Sequence, residues 1–249
     1  MDPISRPGAG RTFFVADLHL TDERPAATGR FFRFLEDEAA GADALYILGD
    51  LFEAWIGDDH HETVADETAQ RLAALAAAGT PVYFMHGNRD FLLAERYAAE
   101  SGMSLIADPA RIDLYGVPTL LMHGDTLCID DTAYQTFRRR VRHPLTRALL
   151  RRLPRGLRIR MARQARAGSD AAKARKAAEI MDVNANEVIR VLREHGVCRL
   201  IHGHTHRPGQ HVHVVDGREC VRWVVPDWYD RWGYVVCDAA GCAIRVEPL

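Results

Sequence analysis

Short apolar segments that end in polar residues of the kind that bind metals recur along this chain, and this repetition constrains the fold most. The first segment, Phe13–Ala16, carries no charge and is followed by Asp17 and His19, which predicts a short buried strand. Side chains two residues apart in an extended segment point to the same face. We therefore expect Asp17 and His19 to face outward together at the carboxyl end of a core strand, where open α/β sheets bind ligands.

Four further turns repeat this arrangement. Buried strands are predicted at 44–48 and 81–85, and helices separate them, so the β-α-β-α-β-α order favours a parallel sheet with helices on its faces. Glycine stands beside the polar residue in most of these turns and lets the backbone pass close to it. Seven ligand-type side chains thus come from five turns, the later ones being Asp50, Asn88, His123, His204 and His206.

The donor atoms in this set are carboxylate and amide oxygens and imidazole nitrogens, without a thiolate. Such a mixture suits Mn²⁺, Fe²⁺ or Zn²⁺ better than Ca²⁺. One ion cannot use seven groups, but two ions can if a carboxylate bridges them, and Asp50 is the natural bridge. Two ions ~3.5–4 Å apart would clamp a phosphoryl group and activate water for in-line attack. Residues 58–61 (DDHH) are expected to be a solvated loop, because adjacent loop side chains rarely converge on one ion.

The amino-acid composition limits the possible domain organisation and the possible binding partners. A chain of 249 residues, 47% of them hydrophobic, can form a single domain over 1–249 with one core and an insert. The net charge of −2 favours neither nucleic acid nor membrane for the molecule as a whole. Residues 1–11 contain no apolar h-region, so we expect no secretory signal, and no run approaches the ~18 apolar residues of a membrane span. Five cysteines without a C-x-x-C pair predict reduced, packed thiols in a cytosolic protein.

The segment from about 131 to 181 has a different character. No Asp or Glu occurs between Asp131 and Asp170, while twelve arginines alternate with apolar residues. Pro144 and Pro154 predict several helices here. Basic amphipathic helices bind anionic membrane surfaces, and they can also close over a site as a lid whose apolar face holds acyl chains. A solvated, salt-bridged face and a nucleic-acid-binding face are the alternatives.

In their order, the motifs D-x-H, G-D, G-N-R-D, H-G-D and G-H-x-H resemble those of the calcineurin-like metallophosphoesterases. The resemblance implies an α/β fold with a layered β-sheet core, flanking helices and a basic helical insert or lid. It also implies two metal ions. One would be held by Asp17, His19, Asp50 and His206, and the other by Asp50, Asn88, His123 and His204.

Arg89 departs from the usual pattern, because many members of that family have His after the Asn. Arginine cannot serve as a general acid at biological pH, but a fixed guanidinium can stabilise charge in a phosphoryl transition state. This favours a leaving group that needs no proton, such as a phosphate released from a pyrophosphate. The alternatives are a substrate clamp or a salt bridge with Asp90. A nuclease, a phosphoprotein phosphatase and a metal-free scaffold on the same fold are the rival functions.

Longer strings, among them ADLHL, HGNRDFLL and IHGHTHRP, resemble a narrower branch of that family, which acts in bacterial lipid A assembly. Its members hydrolyse the pyrophosphate of UDP-2,3-diacylglucosamine to UMP and 2,3-diacylglucosamine 1-phosphate. The resemblance implies two Mn²⁺ ions, a location on the inner face of the bacterial inner membrane, and no obligate protein or nucleic-acid partner. The implied catalytic residues are Asp50, Asn88, Arg89 and His123. The implied substrate contacts are Asn88, Arg89, Asp131, Ser169, Lys173 (an Asn in some members), Lys176 and His204.

Overall fold

The computed structural model describes residues 10–59, 62–173 and 182–249, with the backbone alone for 165–173. Within these residues the chain forms eleven strands, most of them short and rich in branched or aromatic residues, as expected for a pleated core. The strands are β1 (Thr12–Val15), β2 (Ala44–Ile47), β3 (Val82–Met85), β4 (Met103–Ile106), β5 (Ala110–Leu114), β6 (Val117–Met122), β7 (Arg199–His202), β8 (Gly209–Val215), β9 (Arg218–Val224), β10 (Arg231–Asp238) and β11 (Gly241–Pro248).

The helices begin and end at sequence signals. Pro25 and Pro144 each occupy a first turn, where the missing N–H has no intrahelical partner to lose. Asn184 accepts two backbone N–H groups at the start of the last helix, and Gly196 ends it at φ 61°. The helices are α1 (Pro25–Asp37), α2 (Thr63–Ala77), α3 (Glu95–Glu100), α4 (Thr132–Val141), α5 (Pro144–Arg152), α6 (Arg155–Lys173) and α7 (Ala185–His195).

The strands form two sheets. The first has the order β11-β10-β1-β2-β3-β4, and the second has the order β5-β6-β7-β9-β8. The predicted parallel arrangement is correct for β1 to β4, although β4 itself has no counterpart in the sequence prediction. It is wrong for the sheet as a whole, because β10 joins the other side of β1 in the antiparallel direction. Strand neighbours this far apart in sequence leave no local signal.

Alternation along β1 divides its residues between two cores. Phe13 and Val15 pack with Phe34 of α1 on the helix-covered face of the first sheet. Phe14 faces the other way and packs with Ile201 between the two sheets. Each of these fully buried phenylalanines stabilises the fold by about 1.5–3 kcal/mol. Because both faces of β1 are buried, its sequence is a continuous apolar run.

A third core joins the second sheet to α7, through Leu120, Val188 and Leu192. The layers are therefore helices, sheet, sheet and helix, which confirms the layered core flanked by helices. No helix among the described residues is long and apolar enough to cross a membrane.

Helices α4, α5 and α6, hereafter the helical insert, lie within the predicted 131–181 segment. Acidic residues from outside the segment pair with some of its arginines. Asp125 accepts from Arg138 at 2.7 Å and from Arg142 at 3.2 Å, and Asp59 pairs with Arg158. The sequence run conceals these partners because they come from other parts of the fold.

The cysteines also differ from the expectation of reduced thiols. Disulfides join Cys198 to Cys220 and Cys237 to Cys242, and Cys128 is a buried free thiol. The second pair is opposed in the antiparallel register of β10 and β11. The Cα atoms lie 4.2 Å apart in the first pair and 4.0 Å apart in the second, a closeness that sequence spacing does not reveal.

Candidate metal centre

Backbone conformation is unusual at the residues that follow the core strands. Asp17, His19, Asp50, His204 and His206 all have positive φ, between 50° and 71°. Non-glycine residues adopt this left-handed region in only a few per cent of cases, and each costs about 1–3 kcal/mol. A fold that holds five of the predicted ligands in this conformation has turned their side chains toward a common space.

Glycines let these turns approach one another. A Cβ on Gly87 would overlap Asp50, and one on Gly203 would overlap Asp17. A Cβ on Gly49 would lie 2.6 Å from the Cα of Gly87, far inside van der Waals contact. The glycine beside each polar residue is therefore required by close packing between neighbouring turns.

Main-chain hydrogen bonds fix the turns relative to each other. Asp17 N donates to Gly49 O at 3.1 Å and His19 N donates to Asp50 O at 3.0 Å, which extends the β1–β2 pairing beyond the strands. Gly203 N donates to His123 O at 2.9 Å and joins the ends of β6 and β7. The backbone of the centre is thus part of the sheet framework.

The structure brings all seven predicted metal ligands to this edge, which we call the strand-end edge. One group of side chains consists of Asp17, His19 and His206, and a second consists of Asp17, Asp50 and His123, with the donor atoms of each group within 4.8 Å of one another. The His206 Nε2–Asp17 Oδ1 distance is 3.5 Å, and the His19 Nε2–Asp50 Oδ2 distance is 3.9 Å.

Asn88 and His204 complete the strand-end edge beside His123. The Leu48 carbonyl lies 2.9 Å from His123 Nδ1 and can only accept, so this nitrogen is the donor. In the neutral imidazole Nε2 is then an acceptor, and it lies 3.1 Å from Asn88 Oδ1. The His204 ring lies 5.0 Å from the His123 ring. Acceptor atoms directed at one point suit a cation.

Burial and charge shift the proton affinities here. Burial alone would raise the pKa of Asp17, but the close contact with His206 and the positive charge of the neighbouring imidazoles lower it below its usual range. Burial lowers the pKa of His204 to about 3. An ionised carboxylate and a neutral imidazole are the protonation states that bind metal.

Two buried atoms test whether a metal fits this site. Asp17 Oδ1 and His19 Nε2 are shielded from solvent, and neither has a hydrogen-bond partner within the described part of the chain. Buried polar atoms without partners are rare because each costs free energy. Both point into the ligand groups described above, so the residues present fit a pair of divalent cations.

The carboxylates of Asp90 and Asp58 accept hydrogen bonds from backbone N–H groups around the centre. Asp90 accepts from Gly87 N and from Leu51 N, each at 2.8 Å, and burial and the charge of Asp50 raise its pKa to about 7. Asp90, the alternative salt-bridge partner predicted for Arg89, therefore already accepts two backbone amide hydrogen bonds. Asp58, expected to be solvated, instead accepts from three donors, including Tyr97 N at 3.0 Å.

The remaining predicted substrate contacts are Asp131 and three residues whose side chains the structure does not describe. Asp131 caps α4 and accepts from Tyr134 N at 3.0 Å. Ser169 and Lys173 lie on α6, where only the backbone is described, and Lys176 lies outside the described residues, as do His60 and His61. Their predicted roles stay predictions.

Glu53 and Tyr229 are residues of the centre that sequence reasoning missed. The Tyr229 ring lies 4.9 Å from the His19 ring and 5.5 Å from the His206 ring. Glu53 contacts His19 and Tyr229. Neither follows an apolar strand directly, so the strand-end pattern could not find them.

Comparison with known proteins agrees with this geometry. The sequence model of a family described as calcineurin-like phosphoesterase matches residues 10–208, which confirms the predicted resemblance. The match begins before β1 and ends just after His206, so it includes every residue of the strand-end edge.

Curated relatives cover nearly the whole chain. A Xanthomonas campestris pv. campestris (strain B100) protein named UDP-2,3-diacylglucosamine hydrolase is 48% identical over 245 residues, or 96% of this chain and 99% of that protein. A Pseudomonas aeruginosa (strain UCBPP-PA14) protein of the same name is 51% identical over 237 residues, or 95% of this chain and 98% of that protein.

Proposed function

This chain belongs to the calcineurin-like phosphoesterase family, and we propose from that premise that it hydrolyses the pyrophosphate bond of UDP-2,3-diacylglucosamine. Within the family it belongs with the UDP-2,3-diacylglucosamine hydrolases, and it is a metal-dependent hydrolase. In the proposed reaction, water forms a bond to the phosphorus nearer uridine and the anhydride P–O bond breaks. The products are UMP and 2,3-diacylglucosamine 1-phosphate.

The observation that carries this proposal is the convergence of two ligand groups, both containing Asp17, at the strand-end edge. Asp17, His19, Asp50 and His206 would hold one ion, and Asp50, Asn88, His123 and His204 would hold the other. We propose Mn²⁺ for both, because carboxylate, amide and imidazole donors suit it. When bound, such ions polarise phosphoryl oxygens and lower the pKa of water.

Arg89 favours an anhydride over an ester. Its backbone N–H donates to Asp50 Oδ1 at 2.8 Å, which fixes the residue beside a predicted bridging ligand. Its guanidinium stays protonated, so it can stabilise charge on the phosphoryl oxygens but cannot protonate a leaving group. A sugar phosphate leaves without a proton at neutral pH, whereas an alkoxide does not.

Product analysis of the purified protein tests the reaction. With UDP-2,3-diacylglucosamine and Mn²⁺ we expect equal amounts of UMP and 2,3-diacylglucosamine 1-phosphate, and with EDTA we expect neither. Parallel reactions contain single-stranded DNA or a phosphoserine peptide. Cleavage of either one, with the lipid substrate untouched, would replace the proposal with a nuclease or a phosphoprotein phosphatase.

We propose in addition that the helical insert binds the membrane surface and closes over the acyl chains as a lid. Large apolar side chains face solvent there: Leu145 is 76% exposed and Leu149 is 61% exposed. Exposed arginines of the same three helices, among them Arg139, Arg152 and Arg160, would attract anionic headgroups. Together these features favour the cytoplasmic face of the inner membrane as the location.

A vesicle assay tests the membrane contact. We expect Leu145→Ser/Leu149→Ser to lower partitioning onto phosphatidylglycerol-containing vesicles about tenfold or more, since each buried leucine contributes roughly 1.5–3 kcal/mol. Val212→Ser/Val214→Ser is the matched control, because these β8 valines are 58% and 63% exposed. Equal partitioning of the two variants would reject the insert as the contact surface.

A further inference from the structure

Glu53 lies at the strand-end edge, in the loop that follows β2. The loop continues the pairing of the parallel strands: Leu20 N donates to Leu51 O at 2.9 Å, and Glu53 N donates to Leu20 O at 3.1 Å. An isolated bridge between Leu20 and Phe52 lies in the same stretch. The backbone of Glu53 is therefore fixed to the segment that carries His19.

The Glu53 carboxylate faces the imidazole of His19. Glu53 Oε2 lies 3.0 Å from His19 Nδ1, close but without hydrogen-bond alignment, and its negative charge favours a proton on that nitrogen. The neutral ring then has its lone pair on Nε2, which is buried and points toward Asp50 Oδ2 at 3.9 Å. Metal-binding histidines in general donate their second N–H to a carboxylate or a carbonyl, which fixes the tautomer and orients the ring.

The same carboxylate faces Arg89. Glu53 Oε1 lies 3.9 Å from Arg89 Nη1, and the Glu53 side chain is only 18% exposed, so solvent screens the pair incompletely. Trp55 N, two residues on, donates to Arg89 O at 3.0 Å. Backbone and side chain of the loop thus both hold Arg89.

Tyr229 contacts the same carboxylate oxygen that faces His19. Its hydroxyl lies 3.3 Å from Glu53 Oε2, while its ring packs on His19. Glu53 therefore joins a predicted metal ligand, a predicted phosphate-stabilising arginine and an aromatic side chain from the segment before β10.

We propose that Glu53 is a positioning residue that orients His19 for its cation and Arg89 for the phosphoryl group. This inference rests on the proposed function, because it assigns Glu53 a part in the same site. Glu53 reaches the reaction through its two neighbours. Its removal should therefore weaken metal binding and slow turnover, with little change in KM.

The first test measures Mn²⁺ affinity of the full chain without substrate, by competition with a fluorescent chelator. Glu53→Gln keeps the shape and loses the charge, and we expect its Mn²⁺ affinity to fall about tenfold to a hundredfold. Glu67→Gln is the matched control, because Glu67 is an exposed α2 glutamate paired with Arg71. It should bind Mn²⁺ as the wild type does. Equal affinity in Glu53→Gln would overturn the assignment to His19.

The second test is a double-mutant cycle at saturating Mn²⁺. If Glu53 acts through Arg89, Glu53→Gln should lower kcat in the wild-type background and have a smaller effect in the Arg89→Ala background. If the losses of kcat in the two single variants simply multiply in the double variant, the assignment to Arg89 is overturned. A wild-type protein that binds no Mn²⁺ would instead defeat the proposed function, so the two failures are distinguishable.

Discussion

The strand-end edge and the helical insert depart from ordinary protein surfaces in opposite directions. At the strand-end edge, polar side chains are buried: Asp17 and His123 are 0% exposed and Asp50 is 2% exposed. In the insert, helices α4 and α5 contain no buried residue, and Leu145 is among the most exposed apolar side chains.

A bound ligand would lower the free-energy cost of both the buried polar groups and the exposed leucines. Buried carboxylates and imidazoles are costly without charge partners, which cations supply. Exposed leucines are costly in water, and the proposed acyl chain or membrane surface would cover them. The strand-end edge is held by sheet hydrogen bonds, whereas the described contacts of the insert with the rest of the chain include side-chain pairs such as Arg138 with Asp125. Under the proposed function, the strand-end edge would carry the chemistry and the insert would recognise the lipid.

The largest expected effect is on the strand-end side of this comparison. Asp50→Asn keeps the side-chain shape and tolerates the left-handed backbone, but it removes the charge of the proposed bridging ligand. We expect kcat to fall about a thousandfold or more, since several kcal/mol of charge stabilisation is lost. Steady-state assays with Mn²⁺ measure this, with circular dichroism to verify folding. A folded variant with near-normal kcat would reject the bridge.

A methyl group at Gly87 should have the next largest effect. Its Cβ would overlap Asp50, including the backbone N, so the two turns must move apart. Displacement of reacting groups by about 1 Å can cost about a hundredfold in rate. We expect Gly87→Ala to lose about that much activity together with Mn²⁺ affinity, as seen by turnover and metal titration. Full activity would show that the turns need not touch.

Asp125 connects the two regions, and its loss should affect stability more than chemistry. Asp125→Ala removes one of the two buried carboxylates of the described residues that pair with Arg138 and Arg142, each 16% exposed, and leaves only Asp108. We expect about 2 kcal/mol of lost unfolding free energy, below the range for a fully buried pair because the guanidinium groups are partly solvated. Urea denaturation measures it, and the exposed Asp37→Ala is the control. Equal urea midpoints for Asp125→Ala and Asp37→Ala would contradict the role of Asp125 in connecting the two regions.

The smallest expected effect belongs to the insert. Gly156 lies in α6, and a Cβ there would meet nothing within 4 Å. Gly156→Ala should therefore stabilise the chain by about 0.5–1 kcal/mol through lower entropy of the unfolded state, and kcat should not change. Thermal unfolding measures the shift. A destabilised Gly156→Ala would mean that the insert is packed as tightly as the turn at Gly87.

Local sequence was sufficient to predict the strand-end edge because each part of it is local. An uncharged strand such as Phe13–Val15 and the polar residue after it are adjacent, and parallel strands bring their ends together without further information. Glu53 and the pairing of Asp125 with Arg138 could not be predicted this way. Each depends on which distant segments become neighbours, as does the place of β10 beside β1.

The position of β1 between β2 and β10 has a consequence for synthesis. Phe13 pairs with Val236, and Trp228 N donates to Asp17 O at 3.1 Å. The first strand, β1, therefore cannot complete its pairing until β10 has been synthesised. At ribosomal rates of about 5–20 residues per second, a chain of 249 residues takes roughly 12–50 s to emerge. A nascent chain stalled before β10 contains every predicted metal ligand but lacks the strand that pairs with β1 beside them.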